Sequence, residues 1–78
     1  MAITDLVATI AKALVDEPDE VDVAEVDGDG NQRVIELRVA KDDIGKVIGK
    51  DGRTAQSIRA LISAASIKGR RVHLDILD

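Results

Sequence analysis

"IGKVIGKDGRTAQSIRALI", residues 44–62, places Gly45, Gly49 and Gly52 within eight residues, with lysines among them and an apolar periodic stretch behind them. Glycine in a helix interior costs up to about 1 kcal/mol relative to alanine, so three so close together need a reason other than helix formation. Ile44, Val47 and Ile48 have the spacing of one helical face, and Asp42 or Asp43 stands where a helix cap belongs. Ala55, Ile58, Leu61, Ile62 and Ala65 repeat the pattern after Gly52. The stretch therefore reads as two helices joined by a four-residue turn, Gly49-Lys50-Asp51-Gly52.

Working outward, Ile3, Leu6, Val7, Ile10 and Leu14 form an apolar helical stripe with Thr4 or Asp5 near its start, and Pro18 is expected to end that helix. "VDVAEV" from Val21 and "RVIELRVA" from Arg33 are β-branched and alternate, and "DGDGN" between them is a strong turn signal, which predicts an antiparallel hairpin. Ile35, Leu37 and Val39 then share a face. "RRVHLDIL" alternates Val72, Leu74 and Ile76 with Arg71, His73 and Asp75 and predicts a last strand. The order is αββααβ. A strand, a two-helix crossover and another strand place the last strand parallel to the second, with right-handed connection. The expected class is α+β: a three-stranded mixed sheet covered on one face by three helices.

The chain has 78 residues, enough for one core and one domain. No Phe, Trp or Tyr is present, so the core must be aliphatic and no aromatic ring is available to stack on bases or sugars. The absence of cysteine excludes disulfides, thiolate nucleophiles and cysteine-bearing zinc sites. No stretch reads as a signal peptide or membrane span, which makes the cytoplasm the expected location. The net charge of −4 conceals a gradient: residues 1–30 sum to −8 and residues 31–78 to +4. Within residues 44–71 the bases Lys46, Lys50, Arg53, Arg59, Lys68, Arg70 and Arg71 face one acid, Asp51, so a polyanion meets a local positive field.

Several other motifs fail on chemistry. "DGDGN" supplies the first three ligand positions of a calcium loop, yet Gln32 stands where glycine is required and Arg38 where a bidentate glutamate belongs. "GKVIGKD" is one residue short of a nucleotide P-loop and has Asp51 in place of the magnesium-binding hydroxyl. Gly45 and Gly49 have the spacing of a membrane-helix dimer, but Lys46, Lys50 and Asp51 forbid a lipid-facing segment. His73 is the single histidine, predicted on the outer side of a strand, and the carboxylates Asp16, Glu17, Asp19 and Glu20 read as a solvated run beside Pro18. No catalytic constellation, metal site or cofactor is expected.

The Gly49–Gly52 turn does carry a positive reading. Backbone N–H groups at the start of a new helix bind phosphate oxygens, glycine lets a sugar-phosphate chain come close, and Lys50 adds a mobile charge. Apolar residues of the flanking helices, with the sheet edge, leave a groove for single-stranded bases and not for a duplex. The plainer alternative is a helix corner that needs glycine only to cap one helix and restart the next.

"VIGKDGRTAQSIRALI", preceded by "IGK", resembles the I-G-x-x-G signature of KH domains, in which a turn between two helices clamps single-stranded RNA through its backbone. The αββααβ order resembles the type II, bacterial arrangement. The whole chain is similar to the small stand-alone bacterial KH proteins of the KhpA family, most clearly in "VAKDDIGKVIGKDGRTAQSIRALISAA" and in "RVHLDILD". The resemblance implies a clamp of Gly49, Lys50, Asp51 and Gly52. Around it would lie Ile44, Gly45, Lys46, Val47 and Ile48 on the preceding helix and Arg53, Ser57 and Ile58 on the following one. It places the variable loop at 66–69, so that Lys68, Arg70 and Arg71 flank the site. Asp51 departs from this pattern by offsetting part of the charge of Lys50. The implied function is a low-specificity single-stranded RNA binder, as an RNA chaperone or post-transcriptional regulator. The implied pairing is a homodimer or a heterodimer with a larger KH-containing protein of the Jag/KhpB type. The alternative is a protein-interaction module on a KH scaffold with a vestigial nucleic-acid site.

Overall fold

The periodic stretches become three helices and three strands in the order αββααβ in a computed structural model, which describes residues 2–65 and 71–77. The first helix, α1, spans Ile3–Leu14 and buries Val7 and Ala11. It stops before Pro18, as the sequence requires, but earlier than proline alone dictates. The N–H groups of Asp16 and Glu17, which a longer helix would direct at its own carbonyls, are donated instead to the Asp43 carboxylate. Pro18 then opens a single 3-10 turn, Pro18–Glu20, with its fixed φ and missing N–H suited to a first helical position.

The hairpin forms from β1, Asp22–Asp27, and β2, Gln32–Arg38, in register Val23↔Leu37, Glu25↔Ile35 and Asp27↔Arg33. Each strand starts one residue away from the position expected of it. Gly28 donates to the Gln32 carbonyl at 2.8 Å and Gln32 to that of Asp29 at 3.0 Å, with Gly30 at φ +60°. Arg33 clasps the hairpin end through Glu25, at 2.7 Å, and Asp27. The last strand, β3, spans Arg71–Leu77 and lies parallel to β2 on its other side, giving the sheet order β1-β2-β3 with Ile35↔Leu74 and Leu37↔Ile76.

The helices cover the face that carries Ile35, Leu37 and Leu74; Ala24, Val26, His73 and Asp75 are exposed. The core is aliphatic, as the composition demands: Val7, Ala11, Ile35, Leu37, Val39, Val47, Ile58, Ile62 and Leu74 form one cluster. Full burial of each larger member contributes about 1.5–3 kcal/mol. Ala11 joins this cluster although the sequence pattern did not single it out. Leu61, expected on the buried stripe, is instead 50% exposed. Ala55, Ile58 and Ile62 define the buried line of their helix, and at about 100° per residue Leu61 falls roughly a quarter-turn from it.

Candidate nucleic-acid interface

The second helix, α2, covers only Ile44–Ile48. Val47 is fully buried and anchors it, while Ile48 is 39% exposed. The Gly49 N–H donates to the Gly45 carbonyl at 2.9 Å and closes the helix. A 3-10 turn follows, Lys50–Gly52, in which the Gly52 N–H reaches the Gly49 carbonyl at 3.1 Å, and α3 begins at once, spanning Arg53–Ala65. The N–H groups of Lys50 and Asp51, at the head of the turn, have no acceptor within it.

The three glycines have different reasons. Gly49 sits at φ +78°, and a Cβ there would stand 2.1 Å from Thr54 Oγ1 and 2.9 Å from its backbone nitrogen. No other residue fits without moving the start of α3. Gly52, at φ +74°, faces open space, so only its backbone angle calls for glycine. Gly45 has neither constraint: a Cβ would meet nothing within 4 Å. Between them Asp51 adopts φ 57° and ψ 24°, the single non-glycine with positive φ among the described residues. Aspartate tolerates this left-handed region better than most residues.

Lys50, Asp51, Arg53, Ser57 and Arg59 are exposed, and among the described residues no ion pair involves Lys50, Asp51 or Arg53. Ile44 is half-buried and Gly45 exposed. Val47 and Ile58 lie in the core beneath the turn, at 0% and 2% exposure. Arg71 is exposed at the start of β3, while Lys68, Arg70 and the loop 66–69 lie outside the described residues.

Lys46 is engaged elsewhere. Its Nζ lies 3.2 Å from Asp16 Oδ2 and 3.3 Å from Asp43 Oδ1. These contacts, Asp16 first, hold the ammonium above the ordinary lysine range. Asp43 was a candidate cap for α2, but its side chain makes no cap hydrogen bond. Oδ1 accepts from the Asp16 N–H at 3.3 Å and Oδ2 from the Glu17 N–H at 3.0 Å. Burial disfavours the charge of this carboxylate, but the two backbone donors and then Lys46 outweigh it and hold the pKa below the usual carboxylate range. The Asp-Asp-Ile-Gly-Lys string reads as a cap from sequence because its partners lie 26 and 27 residues away. Asp42, the other cap candidate, is exposed. A shallow acidic hollow lies nearby, lined by Glu20, Lys41 and Asp42 among others, and no group of described residues there or elsewhere has the makings of a metal site.

An αββααβ sheet-and-helix sandwich whose middle helices meet at a Gly-Lys-Asp-Gly turn, with Lys50 and Asp51 exposed, is the arrangement of a KH domain. More narrowly, the chain belongs to the KhpA/KhpB KH domain family, which matches residues 4–76. It is 58% identical over 74 residues to the RNA-binding protein KhpA of Halalkalibacterium halodurans, covering 94% of this chain and 96% of that one. The protein of the same name from Caldanaerobacter subterraneus is 55% identical over 74 residues, covering 94% and 97%. That from Treponema pallidum is 48% identical over 75 residues, covering 95% and 92%. No solved structure matches the chain significantly.

Proposed function

We propose that this chain binds single-stranded RNA, with the sugar-phosphate strand laid across the Gly49–Gly52 turn between α2 and α3. The observation that carries the reading is the turn itself: Lys50 and Asp51 are exposed between two half-buried glycines, Gly52 faces open space where a side chain would otherwise stand, and two exposed cations, Lys50 and Arg53, lie beside it. Its relatives carry the name RNA-binding protein KhpA, which supports the same ligand. Ile44, Gly45, Ile48 and Ser57 line the approach, Val47 and Ile58 support it from below, and Arg71, with Lys68 and Arg70 of the segment outside the described residues, adds positive charge for the strand. Because no aromatic residue is present to stack on bases, recognition is weakly selective, which suits an RNA chaperone or post-transcriptional regulator in the bacterial cytoplasm. No step of covalent chemistry is assigned. Among the described residues no helix is long and apolar enough to cross a membrane.

Reach beyond one short groove comes from pairing, either with a second copy or with a larger KH-containing protein of the Jag/KhpB type. Half-exposed Leu61 and exposed Ala64 on α3 support a contact along that helix. The test of RNA binding is Lys50→Asp, which sets two carboxylates side by side at the turn. Affinity for a short single strand falls at least about tenfold, roughly 1.4 kcal/mol, while amide shifts on adding RNA to the parent chain cluster at residues 49–58. Unchanged affinity in a folded variant removes the clamp.

A further inference from the structure

The Asp43 carboxylate is 1% exposed, carries a charge and takes no part in the clamp described above. Both of its oxygens are used: one backbone N–H from Asp16 and one from Glu17 reach it from the linker that follows α1. Lys46, one helical turn further along, reaches back to the same Asp43 and to the same linker through Asp16. The linker thus gives two donors and a carboxylate, and the start of α2 gives a carboxylate and an ammonium. This node matters because of the length of α2. A five-residue helix is about 7.5 Å long and far too short to hold its own direction, so its pose is set by what grips its two ends. At the turn end the grip is Val47 in the core together with α3 beyond the turn. At the other end it is Asp43.

We propose that Asp43, with Lys46 and Asp16, is the positioning node of the RNA clamp: by tying α2 to the α1–β1 linker it holds the Gly49–Gly52 turn in its binding pose before RNA arrives. The assignment rests on the clamp reading above and adds to it a residue that touches no RNA. It gives Lys46 a structural role in place of a phosphate contact, so the strand's charge is met by Lys50, Arg53 and the arginines beyond.

The experiment compares three variants at a temperature where each is fully folded, using fluorescence anisotropy with a labelled short single-stranded RNA. Asp43→Asn keeps the shape and one acceptor but loses the charge and one bond; its affinity falls about fivefold or more, and amide exchange quickens at residues 49–52. Ile35→Val, a core change of similar effect on melting, leaves affinity within about twofold of the parent. Lys50→Asp reports on the clamp itself. If Lys50→Asp weakens binding and Asp43→Asn does not, the node is overturned and the clamp stands; if neither weakens it, the clamp reading fails. Should Asp43→Asn not fold, Lys46→Met decides. Weaker binding with an unchanged dependence on salt supports the node, whereas a slope reduced by about 0.7, the share of one phosphate contact, makes Lys46 a direct ligand and overturns it.

Discussion

Gly49, Gly52 and Gly45 are alike in sequence and separable by substitution. At Gly52 alanine meets no atom and pays only for the left-handed backbone, so Gly52→Ala should lower stability by about 1 kcal/mol. At Gly49 the same backbone penalty is joined by collision with Thr54, which α3 cannot yield without shifting its first turn, and Gly49→Ala should lower stability by at least about 2 kcal/mol. Gly45→Ala, in open space on a helix, should raise stability by about 0.5–1 kcal/mol. Denaturant melts of the three variants check the order, and equal losses at 49 and 52 would contradict the Thr54 contact. The sequence announces that this turn needs glycine, since no helix former would choose it three times. Which glycine is obliged by its neighbours depends on where Thr54 stands, and that is visible only in three dimensions.

At the scale of elements, the helices and strands are legible because each buries one face and its apolar period says so. Ile35, Leu37 and Leu74 declare their strands, and Ala55, Ile58 and Ile62 their helix. The joint between α2 and the linker is not legible in this way, because Asp43 is polar, buried and satisfied by backbone groups that any residue but proline at 16 and 17 would supply. That joint should also be visible in acid. The folded pKa of Asp43 lies below its unfolded value, so the unfolded state takes up the proton first as pH falls. The stabilisation is therefore complete above the unfolded value, near pH 4, and drains away as pH drops through the folded value. Asp16, Glu17 and Lys46, with Glu20, Lys41 and Asp42 of the adjoining hollow, are the charged groups around it. Thermal melts from pH 7 to pH 2 should show the parent losing stability in that window. Asp43→Asn should start more than about 10 °C lower at neutral pH and vary less in acid; parallel curves would rule out Asp43 as the titrating group.

For the whole molecule, charge is divided along the chain rather than balanced locally: the first 30 residues are strongly acidic and the remainder basic. If Lys50, Arg53 and one further arginine meet about three phosphates, the logarithm of affinity for a single strand should fall with the logarithm of salt at a slope near −2. A flat response would leave the positive half without a role in binding. Association is open to a similar test. A domain of 8.3 kDa buries only about 60% of its unfolded surface, and this core has no aromatic side chain. Sedimentation equilibrium from micromolar to millimolar protein should reveal self-association, and Ala64→Arg should abolish it where α3 forms the contact; a strict monomer across that range would exclude a homodimer. The parallel pairing of β2 with β3 bears, finally, on how the domain comes into being during translation. The hairpin and both clamp helices are synthesised before β3, yet Ile35 and Leu37 gain their neighbours Leu74 and Ile76 only from that last strand. A nascent chain that has emerged as far as Ala65 carries the whole Gly49–Gly52 turn on an open sheet with an unfilled edge. Nearly all residues of the turn and its two helices are therefore made before the strand that completes their scaffold, and the sheet under the turn closes only once β3 has emerged.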